Sequence, residues 1–553
     1  MKTFFTILLV SHTLLITAQD LDTTAINVKR IFLPMVNDGS IGSVMSGVLF
    51  DSIGIMYSSG FLLSGKSSDS VWSNGVFDSE RIHDYYPGKY SEVQHNVNNK
   101  FYELSSADPE FGNSWIEWKD AVELGAYFYD GDNDGFYNPI DLNENNRWDS
   151  TEDRPDLLGN YTNWTIFSDK VPNSDRQYNG AGQPQGIEVR QTAFSYHLEG
   201  TEILNNTVFF RYVIENVGNI EKIDSVYFGF VIDPDIGNYD TDLIGSDPLL
   251  NSVYGYKRKA DKEYYFGSTP PSLFVSLLQG PIIAASLDDN SYIRRGELLG
   301  ETISSGRKNL EMTSSFAFRR YDLSSLEMQK VIRNILIGGM YPGGDSSIAV
   351  GNYAFGNGET LGNAADTISP YFLFSGDPVT GNGWLNIFET DWRMLGSVGP
   401  FNLEKNKPQE IILAYIFGRG DSPLNSVAVA KDYAKAVIKF YESNFSELPV
   451  SVGQKEQKNI PEKFILEQNF PNPFNPITLI EYSIPQNILF DGANVTITVY
   501  DALGREISTL LNLEQKPGLY KIEFDGSNLA SGVYYYQFRA GDFIQTKKMI
   551  LLK

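Results

Sequence analysis

The residues best suited to chemistry lie in one acidic stretch. Asp130, Asp132 and Asp134 alternate, Gly135 follows, and Asp141 completes the window, placing oxygen donors at loop positions 1, 3, 5 and 12. Alternate residues of such a loop turn their oxygens onto one ion, and glycine at position 6 permits the sharp turn. Phe136, at position 7, would offer its backbone carbonyl. A second window starts on the last donor of the first: Asp141, Asn143, Asn145, Asp149 and Glu152 take positions 1, 3, 5, 9 and 12, and Arg147 at position 7 offers a carbonyl. Asn146 stands where glycine is usual, which asparagine tolerates because the left-handed region is open to it. Hard oxygen donors at this density suit calcium better than zinc or copper. The alternative is an acidic surface turn without an ion.

Pro139 argues against a helix leaving the first loop. The segment therefore resembles the overlapping calcium loops of dockerin or thrombospondin type 3 repeats rather than a helix–loop–helix sensor. The chain has no cysteine, which removes disulfides, thiolate metal sites and cysteine nucleophiles. Calcium as a structural staple is thus the expected cofactor, because an ion relieves carboxylate repulsion and stabilises the state that binds it. A looser cluster, Asp233, Asp235, Asp240, Asp242 and Asp247, matches no loop template. It reads equally as a third cation site and as a solvated loop.

No catalytic residue can be assigned. Beyond the N-terminal segment the histidines are His83, His95 and His197, and no nucleophile elbow, zinc-protease helix or phosphate loop accompanies them. Paired carboxylates could hydrolyse glycosides, but 69 acidic residues offer no way to choose a pair. Trp72, Trp115, Trp118, Trp148 and Trp164 gather around the acidic loops, either filling a core or forming a sugar-binding platform. The preferred reading is a non-enzymatic, calcium-stabilised adhesive, structural or scaffold protein. The alternative is a carbohydrate-binding protein or glycoside hydrolase acting outside the cell, with extracellular glycans or cell-surface components as partners.

The elements that must position these residues are mainly β. Glycine (49), tyrosine (32) and phenylalanine (35) are plentiful in the 553 residues, favouring strands and turns. Residues 207–216 put Val208, Phe210, Tyr212 and Ile214 on one face, and 225–233 align Val226, Phe228, Phe230 and Ile232. The short connector between them predicts an antiparallel pair. Residues 410–417 form a further apolar strand. Val427, Ala430, Ala434, Val437, Ile438 and Tyr441 form one helical stripe, predicting a packing helix. The expected chain is multi-domain, with a β-sandwich-type body over residues 20–447 that carries one or two packing helices. A net charge of −25 argues against nucleic acid and anionic lipid as partners and suits plain solubility or cation binding.

Both ends carry addresses. Residues 1–19 read as a secretory signal peptide, with Lys2 before an apolar run and Thr17-Ala18 at its end. No later run is long enough to span a bilayer, so no transmembrane segment is expected in the mature protein. A Pro-, Ser-, Lys- and Gln-rich linker spans 448–463. Residues 464–553 open with Asn469-Phe470-Pro471-Asn472-Pro473-Phe474-Asn475-Pro476, whose prolines favour an extended arm. Short alternating strands follow, including one with Val495, Ile497 and Val499 on a single face, and predict a seven-stranded immunoglobulin-like sandwich. With the Tyr500-to-Arg505 turn, the Leu529-Ala530-Ser531-Gly532-Val533-Tyr534 segment and the Lys547-Lys548-Met549 end, this tail is similar to type A C-terminal sorting domains of type IX secretion cargo. The resemblance implies export across both membranes to the exterior or the outer-membrane surface, with residues 464–553 read by the type IX translocon. Residues 185–191, 233–247 and 411–445 resemble parts of large uncharacterised secreted proteins with the same tail, which implies no activity.

Overall fold

The computed structural model describes residues 21–448 and 464–552, except 43–46, 69, 92–98, 177–181, 199–200, 261–268, 320–327, 339–359, 362–368, 370, 470, 485–492, 516–517 and 542. The expected signal peptide, nearly all of the expected linker and His95 lie outside the described residues. The chain divides into two compact units, Met1–Ser451 and Val452–Lys553.

The body is built on two large antiparallel sheets packed face to face. In the 11-stranded sheet, Lys222–Asp233 lies between Ser58–Ser67 and Arg393–Glu404. In the 9-stranded sheet, Thr207–Asn216 lies between Ile187–Ser195 and Gln409–Gly418. One continuous apolar core draws on both sheets. Phe61 of the first sheet meets Tyr212 and Phe167 of the second at 5.9 and 6.0 Å between ring centroids. Full burial of a large apolar side chain contributes about 1.5–3 kcal/mol, so this row of rings is a principal source of cohesion.

Strands Thr207–Asn216 and Lys222–Asp233 do not pair with one another, contrary to the expected hairpin. They belong to different sheets, and the 217–221 connector arches across the sandwich. Their apolar rows face each other instead, with Tyr212 and Phe228 rings 5.7 Å apart. Both rows are buried, and an arch brings them together across the core, whereas a hairpin would set them side by side in one sheet. Asn216 holds the arch, donating from Nδ2 to the Ile220 carbonyl at 2.8 Å and accepting the Gly218 N–H.

Helices cover the outer faces. Pro423–Glu442 starts at Ser422, whose hydroxyl accepts the Asn425 N–H, with proline at the first helical position. Its predicted stripe packs on the outer face of the 9-stranded sheet against Phe209, Phe274 and Ile412. Met328–Leu336 covers the other sheet, against Leu62, Val231 and Leu395. A third helix, Asn113–Leu124, buries Trp115 and Trp118 against Tyr102, Trp164 and Ile166 at the edge of the 9-stranded sheet. The described residues thus hold three substantial helices where one or two were expected. The other two escape sequence reading because one is Trp- and acid-rich and the other is only 9 residues long. Among the described residues no helix is long and apolar enough to cross a membrane.

The tail unit is a seven-stranded sandwich of a 3-stranded and a 4-stranded antiparallel sheet. Val495, Ile497 and Val499 are all buried, as their alternation requires. The proline arm lies along the last strand. Phe474 is buried and bonds through its backbone to Ile550 and Leu552, and Asn472 Oδ1 accepts the Ile550 N–H. Buried Asn469 donates to Thr478 Oγ1 and to the Pro471 carbonyl, while its N–H meets the Tyr536 hydroxyl at 2.7 Å. At the 500–505 turn, Asp501 accepts the N–H groups of Leu503 and Arg505 and the Arg505 guanidinium.

Candidate metal centre

The acidic segment is a long loop closed at its neck. Phe128 and Tyr129 pair antiparallel with Pro155 and Arg154. Aromatic residues anchor it to the body: Tyr137 is buried and donates to the Trp115 carbonyl at 2.9 Å, and its ring lies 5.3 Å from Phe128. Trp148 donates from its indole to the Glu152 carbonyl, meets Tyr129 edge-on, and carries the Arg154 guanidinium over its face.

Two turns of the same geometry follow each other on this frame. In the first, Asp130 accepts the N–H groups of Asp134 and Gly135, Asp132 accepts Asp134 N–H, and Asp134 accepts Phe136 N–H at 2.7 Å. In the second, Asp141 accepts Asn145 and Asn146 N–H, Asn143 accepts Asn145 N–H, and Asn145 accepts Arg147 N–H at 2.6 Å. Positions 4 and 6 are left-handed in both: Asn133 and Gly135 at φ 61° and 82°, Glu144 and Asn146 at φ 57° and 58°. Asn146 therefore takes the backbone role that glycine plays in the first turn. One carboxylate oxygen each from Asp130, Asp132 and Asp134 lie within 4.8 Å of one another. Phe136 projects into solvent at 74% exposure, so only its backbone can face the loop centre.

The closing acids differ from the sequence assignment in one respect. In the second turn, Glu152 accepts the N–H groups of Leu142 and Asp149, at positions 2 and 9, at 2.7 and 3.0 Å. In the first turn the equivalent groups are Gly131 and Asn138 N–H, and they go to the two oxygens of Asp153 at 3.1 and 2.6 Å. Asp141, placed by sequence spacing in both loops, is engaged through both oxygens in the second. Asp153 was missed because it lies beyond the local window, and its one signal was adjacency to Glu152. A Cβ at Gly131 would sit 2.3 Å from the Glu152 carbonyl oxygen, so glycine there lets the loops close.

The electrostatics leave negative charge in excess. Burial raises the Asp153 carboxyl above its usual range, the charges of Asp132 and Asp130 push the same way, and the Asn138 and Gly131 N–H groups act against them. Asp149 is lowered by hydrogen bonds from Thr151 and also accepts from Asn143 Nδ2.

The 233–247 cluster is dispersed by the fold. Buried Asp242 pairs with Lys257 at 2.9 Å and Asp247 with Lys431 at 2.8 Å, while Asp240 is exposed. Asp233 and Asp235 instead converge with Asp391, which sequence reasoning did not connect to them. Burial raises Asp233 to about 8 and Asp235 to about 6, with Arg393 opposing both.

Four of the five tryptophans, Trp72, Trp115, Trp118 and Trp164, are each at most 3% exposed and fill the core, while Trp148 is half-buried against Tyr129 and Arg154. His83 sits between Asp38 and Asp78; burial opposes its charge, but those two carboxylates prevail and raise it to about 10. His197 is exposed, with its backbone N–H on Asn160. A groove of about 380 Å³ lies beside Ala25, Glu103, Ser105, Asp108 and Tyr161.

Comparisons with known proteins place the tail. Residues 468–552 match the family described as the secretion system C-terminal sorting domain. The tail is therefore a type IX secretion sorting domain, and the protein is exported by that system to the cell surface or the medium. No curated protein matches the chain. Among solved structures, PorZ, a bacterial surface component of the type-IX secretion system of Porphyromonas gingivalis, aligns over 97% of this chain at 10% identity with a TM-score of 0.12. The chain covers 58% of that protein's length, and a superposition so poor carries no argument about fold or function.

Proposed function

We propose that residues 130–153 bind two calcium ions and that the protein serves outside the cell as a calcium-stapled, non-enzymatic scaffold or adhesive. The observation that carries the calcium reading is the repetition of one turn geometry, each turn closed by its own distal carboxylate, Asp153 or Glu152. Asp130, Asp132, Asp134 and Asp153, with the Phe136 carbonyl, would hold one ion. Asp141, Asn143, Asn145, Asp149 and Glu152, with the Arg147 carbonyl, would hold the other. Oxygen donors at alternate positions suit calcium's coordination of 6–8 ligands. In a chain without cysteine, an ion bound only by the folded loop stabilises that loop by mass action.

The non-enzymatic reading is supported by the engagement of His83 in an ion-pair cluster and by the burial of four tryptophans in apolar packing. Melting the purified protein in calcium and in EDTA tests the staple: calcium raises Tm, and Asp132→Ala with Asp134→Ala removes most of that rise. An identical Tm in both conditions overturns it. Turnover of a polysaccharide, peptide or ester by the purified protein would overturn the non-enzymatic part.

A further inference from the structure

We propose a third divalent-cation site, of the hard-oxygen kind that calcium fills, where Asp233, Asp235 and Asp391 converge at one end of the 11-stranded sheet. Asp233 ends the strand Lys222–Asp233, and Asp391 lies just ahead of the neighbouring strand Arg393–Glu404, in which Met394 pairs with Ile232. One carboxylate oxygen from each of the three residues lies within 4.8 Å of the others. Ligands about 2.3–2.6 Å from a shared calcium have that spacing.

Asp233 supplies the second observation. It is 2% exposed, and among the described residues its Oδ1 has no hydrogen-bond partner. Its Oδ2 is already held, by the Ser79 hydroxyl at 2.6 Å and by Arg393 at 3.2 Å. Arg393 also reaches Asp391 at 2.5 Å and Glu80 at 3.7 Å, so one guanidinium is shared among three carboxylates, beside a fourth, Asp235. The buried cation nearby, Lys257, is paired with Asp242. A buried carboxylate oxygen with no donor, in a cluster short of positive charge, calls for a cation. Three carboxylates favour calcium over magnesium, which keeps most of its water. The competing occupant is a proton on Asp233. This site shares no residue with the 130–153 loops and stands or falls separately from them.

The test is calcium stoichiometry by equilibrium dialysis of the full chain at pH 7.5. Among the described residues Asp235 makes no side-chain hydrogen bond, so Asp235→Asn leaves the Arg393 contacts to Asp233 and Asp391 in place. In the wild-type background, Asp235→Asn lowers bound calcium by one equivalent. In a chain whose loops are disabled by Asp130→Ala, Asp132→Ala and Asp141→Ala, one equivalent persists and is lost on adding Asp235→Asn. Unchanged stoichiometry in the wild-type background overturns the proposal. So does a folded loop-disabled chain that binds no calcium, which would leave the proton as the occupant.

Discussion

Single side chains govern where charge is stored in this protein. Asp153 closes the first acidic turn although it lies outside that turn's spacing window and only its neighbour Glu152 hints at it. Asp153→Asn should therefore reduce the calcium-dependent rise in Tm about as much as the Asp132/Asp134 double substitution, whereas Asn133→Gly, at a left-handed position, should leave it nearly intact. His83 carries a pH dependence. Its folded value of about 10 lies above the ordinary 6.5, so its contribution is complete below pH 6.5 and disappears as pH rises through 10. Thermal melts from pH 6 to 10 should show a steeper loss for wild type than for His83→Gln. Asp169 is a buried carboxylate that gathers the N–H groups of Gln185, Gly186 and Ile187 and the Asn74 amide. Removing it leaves those donors unanswered, and Asp169→Ala should cost on the order of 3 kcal/mol in urea unfolding.

At the scale of elements, the decisive contacts are between layers. The long helix Pro423–Glu442 lies so close to the end of its sheet that a Cβ at Gly418 would meet Ala430 backbone atoms at 2.4–2.5 Å. Gly418→Ala should push the helix off the sheet and lower Tm without changing calcium stoichiometry. Phe440, packed among Tyr196, Phe209 and Phe445, anchors the same interface, and Phe440→Ala should cost about 3–5 kcal/mol. The helix itself was readable because its apolar stripe keeps helical spacing from Val427 to Tyr441. The pairing of the strands before it was not. A short connector between two apolar strands is compatible with a hairpin or an arch, and only the partners on either side decide which forms.

The whole molecule separates an address from a body. The tail sandwich has its own core, and its Asn-Phe-Pro arm is built into that core through Asn469 and Phe474. Deletion of residues 464–553 should leave the protein in the periplasm, checked by fractionation and immunoblotting of cells and medium. Asn469→Ala should destabilise the isolated tail unit, because Thr478 and the Pro471 carbonyl lose the buried amide that donates to both.

By itself the sequence determined what is local. Strand alternation, the helical stripe, the tail's turn chemistry and the alternate oxygens of two successive acidic turns all follow from spacing along the chain. Tertiary structure decided what distance along the chain conceals. It supplied Asp153 to the first turn, sent the 207–216 and 222–233 strands into opposite sheets, and split the 233–247 acids among Lys257, Lys431 and Arg393. The physical reason is common to all three. Burial requires each apolar row to face another and each charge to find a partner, and in a sandwich of long sheets those partners come from remote parts of the chain.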